Sequence, residues 1–299
     1  MKKLTPAGLV FAIGILIFGN LVIAAQTYSG TWTSRPHKGD SDGEKIQLTF
    51  RSNDAENERH SYGSTFKYSD LKGLSLETAR DGAASFRLER EAGTIECKGN
   101  FTDGKGAGTF VFTPNSSFIA GMRSRGFDFE KKSEAKYRIS PEKRLFTAAA
   151  LDVTLAPADE LRSANFPNLD VDDLFKAKIF KIDGKFLVEM AASGYPNISM
   201  EDVVKARIFK IDGEYIRSLQ GVGFGTGDFD DLVKYKIFKV TPEFLNELRA
   251  EGLTDLAPED VVQLRIFKID AAFVRQARAA APDISIKSIV NKKLGFDLK

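Results

Sequence analysis

A pattern of apolar and charged positions returns at a fixed interval through the second half of the chain. Ile-Phe-Lys-Ile-Asp begins at Ile179, Ile208 and Ile266, and Ile-Phe-Lys-Val-Thr at Ile237, each 29 residues from the last. One interval before Ile179, Ala-Leu-Asp-Val-Thr opens at Ala150 as a degenerate copy. After Ile266, residues 288–294 match 260–266 with one deletion. A constant period of this length is the signature of stacked, equal supersecondary units.

Each unit reads as two short helices. Val171, Leu174, Phe175 and Ile179 have the spacing of one helical face. Asp170, Ser199, Asp228 and Ser285 stand where a first helix needs its cap, and Asp183, Asp212, Thr241 and Asp270 where a second one does. Ser199 and Asp202 have capping-box spacing; Ala257 lacks a cap oxygen but precedes Pro258, a good first helical residue. Glu201 with Lys205, and Asp230 with Lys234, predict i,i+4 pairs on the outer face. Phe186, Leu187 and Met190 open the second helix and recur as Tyr215, Ile216, Leu219 and as Phe244, Leu245, Leu248. Gly194, Gly223 and Gly252 fall where a left-handed cap ends it. Phe118 to Phe127 aligns as the first such helix, with a charged insertion between Asp128 and Pro141. Helices of about ten residues are marginal alone. Stacking predicts one column from Phe186, Tyr215, Phe244 and Phe273 and another from Phe180, Phe209, Phe238 and Phe267. Residues 114–299 are thus predicted to be an α-α repeat solenoid.

Residues 26–113 follow period two instead. Ile46, Leu48, Phe50; Tyr62, Ser64, Phe66; Phe86, Leu88; Ile95, Cys97, Phe101; and Phe110, Phe112 alternate between turn-forming clusters such as Thr102-Asp103-Gly104. They predict an antiparallel β sandwich or barrel of about six strands, with a helical turn over 71–78. The fold class is α+β. Gly30-Thr31-Trp32 resembles the Gly-x-Trp that opens lipocalin barrels, which makes Trp32 the ligand-binding candidate; the plainer role is to plug one end of a small sandwich. The strand at 109–113 runs into Pro114 without a Gly/Ser linker, so the halves are predicted to dock.

Lys2, Lys3 and an apolar run from Leu9 to Ala25 ending in small residues predict a secretory signal peptide over 1–25. Left uncleaved, it would anchor the chain in the inner membrane. The expected location is the periplasm or cell surface. Of 43 basic and 41 acidic residues, only Lys2 and Lys3 precede Gln26, so the remainder carries 41 of each. That balance argues against nucleic acid as partner. The lone cysteine, Cys97, excludes an intrachain disulfide and reads as a core residue.

Chemistry-bearing motifs are missing. The only histidines are His37 and His60, too few for a His-rich metal site. There is no phosphate loop, dinucleotide fingerprint, zinc-protease motif or nucleophile elbow. Gly221 to Gly227 is Gly-rich but occupies an inter-helix turn. Asp172-Asp173 and Asp230-Asp231 recur with the period, as solvated helix starts do; an active site would be singular. No enzyme activity, cofactor or metal is expected. Two basic rows do recur: Lys178, Arg207, Lys236, Arg265 and Lys181, Lys210, Lys239, Lys268. They read either as a soluble face paired with acidic helix starts or as a docking stripe for an acidic partner or anionic envelope surface.

Residues 109–115 (Thr-Phe-Val-Phe-Thr-Pro-Asn), Tyr195-Pro196-Asn197-Ile198-Ser199 and Val240-Thr241-Pro242-Glu243-Phe244-Leu245 carry a resemblance. The chain resembles a family of bacterial envelope proteins of undefined activity that pair a β domain with tandem helical repeats. Similar repeats are often fused behind membrane metallopeptidases of the β-lactam-sensor type. The resemblance implies a sensing or partner-binding module outside the cytoplasmic membrane and supplies no catalytic residues. The protease is absent here, and Phe-Lys stands where the family's repeats usually place His-Gly. The expected function is an exported, non-enzymatic protein-interaction scaffold. The alternatives are a small-ligand-binding or sensing protein using the β domain, and a regulatory partner of a membrane protease.

Overall fold

The computed structural model describes residues 28–37, 43–52, 61–131, 139–164, 166, 169–222, 227–254 and 256–296. The signal segment, His60, Gly223 and most of the charged insertion therefore lie outside the described residues.

The chain is α+β. Seven strands come first: β1 (Tyr28–Pro36), β2 (Lys45–Ser52), β3 (Ser61–Lys67), β4 (Leu71–Lys72), β5 (Gly82–Arg90), β6 (Gly93–Thr102) and β7 (Lys105–Pro114). All pair antiparallel in one sheet of order β3-β2-β1-β7-β6-β5-β4. Asp103 (φ 50°) and Gly104 (φ 73°) make the two-residue turn between β6 and β7, the mirror-image turn whose twist suits a hairpin. The helical turn predicted over 71–78 begins later, where the Ala79 N–H donates to the Ser75 carbonyl at 3.0 Å. Leu71 and Lys72 pair with Leu88 and Arg87 as an edge strand, because Leu71 has an apolar slot to fill on the sheet's inner face. A one-turn 3-10 helix, Tyr68–Asp70, joins β3 to β4. Those strands are opposite edges of the sheet, so the sheet curls until its two edges lie one short turn apart.

The inner face carries the alternating residues: Ile46, Leu48, Phe50, Phe86, Leu88, Ile95, Cys97, Phe110 and Phe112 are all buried. Trp32 on β1 meets Phe86 at 5.1 Å and Phe101 at 5.6 Å across the curl. A side chain at Gly106 would come within 2.7 Å of the Trp32 ring, so that glycine makes room for the indole.

Twelve α-helices follow among the described residues. They are α1 (Ser116–Ser124), α2 (Pro141–Leu151), α3 (Leu155–Ser163), α4 (Val171–Phe180), α5 (Gly184–Ala192), α6 (Met200–Phe209), α7 (Gly213–Gln220), α8 (Phe229–Ile237), α9 (Pro242–Ala250), α10 (Pro258–Ile266), α11 (Ala271–Ala280) and α12 (Ile286–Lys293). Each even-numbered helix packs on the next even one; α1, α3, α5 and α7 pack likewise, as do α9 and α11. Every cap named in the sequence accepts a backbone N–H from its helix's first turn. The reciprocal capping box, however, forms at Asp170 and Asp173. At Ser199 the hydroxyl donates to the Asp202 carboxylate instead.

Helix α2 belongs to both halves. It lies on β1, β6 and β7 and inserts Phe146 among Tyr28 (5.0 Å), Phe110 (5.2 Å), Phe50 (5.5 Å) and Phe112 (5.8 Å). Polar links reinforce the junction: Arg90 lies 3.2 Å from Asp152, and Glu91 accepts the Leu155 N–H at 3.0 Å. The buried residues form one continuous cluster from Tyr28 to Val290.

Candidate interaction surface

The same backbone event closes five successive even helices. The N–H groups of Val153, Ile182, Ile211, Val240 and Ile269 donate to the carbonyls of Ala148, Ala177, Ala206, Tyr235 and Leu264, all at 2.8–2.9 Å. In each case the residue before the donor is left-handed: Asp152, Lys181, Lys210, Lys239 and Lys268, with φ from 51° to 57°. This is the six-to-one closure normally built on glycine. At the ends of α1, α5 and α9 the usual residue is present, with Gly126, Gly194 and Gly252 at positive φ; α3 and α11 end on Ala164 and Ala281 without one.

The first basic row is spent inside the molecule. Arg207 lies 3.7 Å from the Phe186 ring centre, Lys236 3.5 Å from Tyr215 and Arg265 5.0 Å from Phe244. Lys293, the counterpart of Arg265 in the last unit, lies 4.6 Å from Phe273. Lys178 donates to the Asp152 carbonyl at 2.6 Å and Arg265 to the Lys239 carbonyl at 3.1 Å. Burial lowers the Lys236 pKa, with Asp212 opposing and Lys210 adding to it. The predicted aromatic column is corrected accordingly: Phe186, Tyr215, Phe244 and Phe273 each face a cation from the following unit rather than one another. Phe180, Phe209, Phe238 and Phe267 also make no ring pairs among themselves; the first, second and fourth are half-buried and Phe238 is exposed.

A second set of stitches was not legible as such. Gln220, Arg249 and Arg278 donate to the carbonyls of Ser193, Val222 and Glu251 at the end of the preceding odd helix. They satisfy carbonyls that a helix C-terminus leaves unpaired. Their 29-residue spacing was the available signal.

The second basic row is different. Lys181, Lys210, Lys239 and Lys268 are exposed, and none of their ammonium groups bonds to a described residue. Beside them runs an unexpected apolar row. Ile179 is 56% exposed, Ile208 54%, Ile237 50% and Ile266 44%. The sequence assigns Ile179 to the buried stripe, but Val171, Leu174 and Ala177 form that stripe. At 3.6 residues per turn this leaves Ile179 on the opposite side.

Beyond the isoleucines the outer face neutralises itself. Lys176 bridges Asp173 (3.0 Å) and Glu201 of the next unit (2.7 Å); Lys205 bridges Asp202 and Asp230, both at 2.8 Å. The predicted i,i+4 pairs are thus replaced by i,i+3 pairs and links between units. Burial opposes the Lys176 charge, yet the Glu201 and Asp173 carboxylates outweigh it and hold its pKa up at about 12. Glu201 and Asp230 are held low by their lysines.

Trp32 is 1% exposed, and its Nε1 donates to the Lys98 carbonyl at 3.3 Å; it is a filled part of the sheet's interior. A cleft of about 150 Å³ beside Phe146 and an open one of about 490 Å³ near His37 and Arg80 are not lined by it. Cys97 is buried, and burial pushes its thiol up to about 12. Among the described residues no group of three His, Cys, Asp or Glu side chains could hold a metal ion, and no helix is long and apolar enough to cross a membrane. Comparison of the chain with protein-family models, with curated proteins and with solved structures finds no match.

Proposed function

We propose that this is an exported, non-enzymatic interaction scaffold of the bacterial envelope, with an α-solenoid as its binding surface and the curled β sheet as its cap at one end. The observation that carries this reading is the isoleucine row beside ammonium groups that bond to no described residue, repeated in four units. Exposed apolar side chains in a line mark contact surfaces, and periodic features suit recognition by area. The ligand-binding alternative draws less support, since its candidate Trp32 is packed in the sheet's interior and lines neither the small cleft beside Phe146 nor the open one of about 490 Å³ near His37. Regulation of a membrane protease stays within the scaffold reading, as one identity for the partner.

The test is affinity capture from envelope extract. The bait must be the whole chain from Gln26, because cutting at residue 114 would strip α2 of the sheet that buries Phe146. Saturable retention of one protein, competed by soluble bait, is the expected result. Retention of nothing, together with a small molecule co-purifying with the bait, would overturn the reading. Mass spectrometry of the exported protein decides whether residues 1–25 stay attached.

A further inference from the structure

We infer that the paired isoleucine and lysine rows hold an extended, acidic polypeptide segment that crosses the even-numbered helices with a repeat of three residues. This deepens the scaffold reading and rests on it.

Three observations carry the inference. The first is charge. The lysine row has no partner among the described residues, while the neighbouring cations are engaged: the Lys178 row by rings and carbonyls, Lys176 and Lys205 by carboxylates. The lysine row bonds to no described residue, so its charge is open to an outside acid, and it borders an apolar strip.

The second is pitch. Packed helices stand about 8–10 Å apart, so successive rungs of each row are separated by about that distance. A polyproline-type segment advances about 3.1 Å per residue and returns to the same face every third residue, about 9.3 Å. One apolar side chain in three would meet an isoleucine, and an acid next to it would meet a lysine.

The third is local cost. Lysine at a left-handed position is strained where glycine would not be. Four consecutive units keep it there, while α1, α5, α9 and the last helix, α12, close on glycine. A purely structural turn gains nothing from the ammonium group.

A flat anionic membrane fits less well. Two residues beyond each of Lys181, Lys210 and Lys268 stands an exposed capping carboxylate, Asp183, Asp212 or Asp270. A uniformly negative surface is repelled by every one of these. Discrete acids in register with the lysines avoid them.

The probe is a fluorescein-labelled peptide of roughly five Glu-Leu-Pro repeats, titrated against the full exported chain by anisotropy. A control peptide has the same composition shuffled so that the three-residue period is lost. Saturable, salt-sensitive binding is expected, weaker by about tenfold or more for the shuffled control. The quadruple variant K181G/K210G/K239G/K268G should bind about tenfold or more weaker and melt at a higher temperature than the parent, which separates lost binding from lost folding. I179S/I208S/I237S/I266S should lose binding at unchanged helicity. Equal binding of both peptides, or of parent and lysine variant, overturns the inference. So does binding to phosphatidylglycerol–phosphatidylethanolamine vesicles that disappears in the same variants, which would give the rows to lipid. If a captured envelope partner binds all variants alike, the scaffold reading survives and this inference fails.

Discussion

Lys181, Lys210, Lys239 and Lys268 share a left-handed backbone with φ of 51–56°. A side chain there crowds the following carbonyl, at a cost of about 1 kcal/mol per residue relative to glycine. Replacing any one by glycine should therefore stabilise the fold by about that amount, read as an upward shift in the urea midpoint at constant slope. Arg207 shows the opposite case, a cation held over the Phe186 ring at 3.7 Å. A double-mutant cycle of Arg207→Ala and Phe186→Leu should return a coupling of about 0.5–1 kcal/mol; zero coupling would mean that the ring and the guanidinium only share space. Cap identities were readable in the sequence because Asp, Ser and Thr announce themselves by type. The left-handed lysines were not, since lysine has no preference for that conformation. Nor was the cation over each ring, which joins residues 21 apart (Phe186 and Arg207, Tyr215 and Lys236) and lies outside any one helix.

At the level of helices, the outer face of α4 and α6 is tied by ion pairs whose pH response has a definite sign. Glu201 and Asp230 lie below their ordinary values of 4.5 and 3.8. Carboxylates with lowered pKa stabilise the fold above their ordinary values and lose that contribution as the pH falls through the lowered ones. Lys176, raised from 10.5 to about 12, contributes below its ordinary value and loses it only as the pH rises through the raised one. Melting temperature should thus hold steady through neutrality and drop below about pH 4. The joint variant Lys176→Gln with Lys205→Gln should flatten that drop in pH-resolved calorimetry; an identical profile would show that these pairs are not responsible. Helix existence and order were legible because the period is strict. Which face is buried was not. Val171, Leu174, Phe175 and Ile179 fit one helical stripe, but short helices pack in two files and the narrower stripe ending at Ala177 wins.

For the whole molecule, the decisive contact is Phe146 on α2, which fills the open face of the sheet. Trp32 is the only tryptophan and lies within that sheet, so its fluorescence follows the strands while circular dichroism follows the helices. The two signals should melt together in the parent chain. Phe146→Ala should cost about 3–5 kcal/mol and uncouple them, with fluorescence changing first; coincident curves in the variant would show that Phe146 is not the contact that couples sheet and helices. The division at residue 114 was read from a change of period, and it marks where strands give way to helices. It could not reveal α2 as the sheet's lid, because the degenerate unit keeps its length while Ala150 replaces the isoleucine.

That same unit places Asp152 at the left-handed position that lysine holds in the next four, with Arg90 and Lys178 at 3.2 and 3.8 Å. An acidic strand laid along the lysines as inferred above would find no fifth lysine here, only an acid already held by Arg90 and Lys178. On that inference the row is four rungs long, which suits a guest of about a dozen residues.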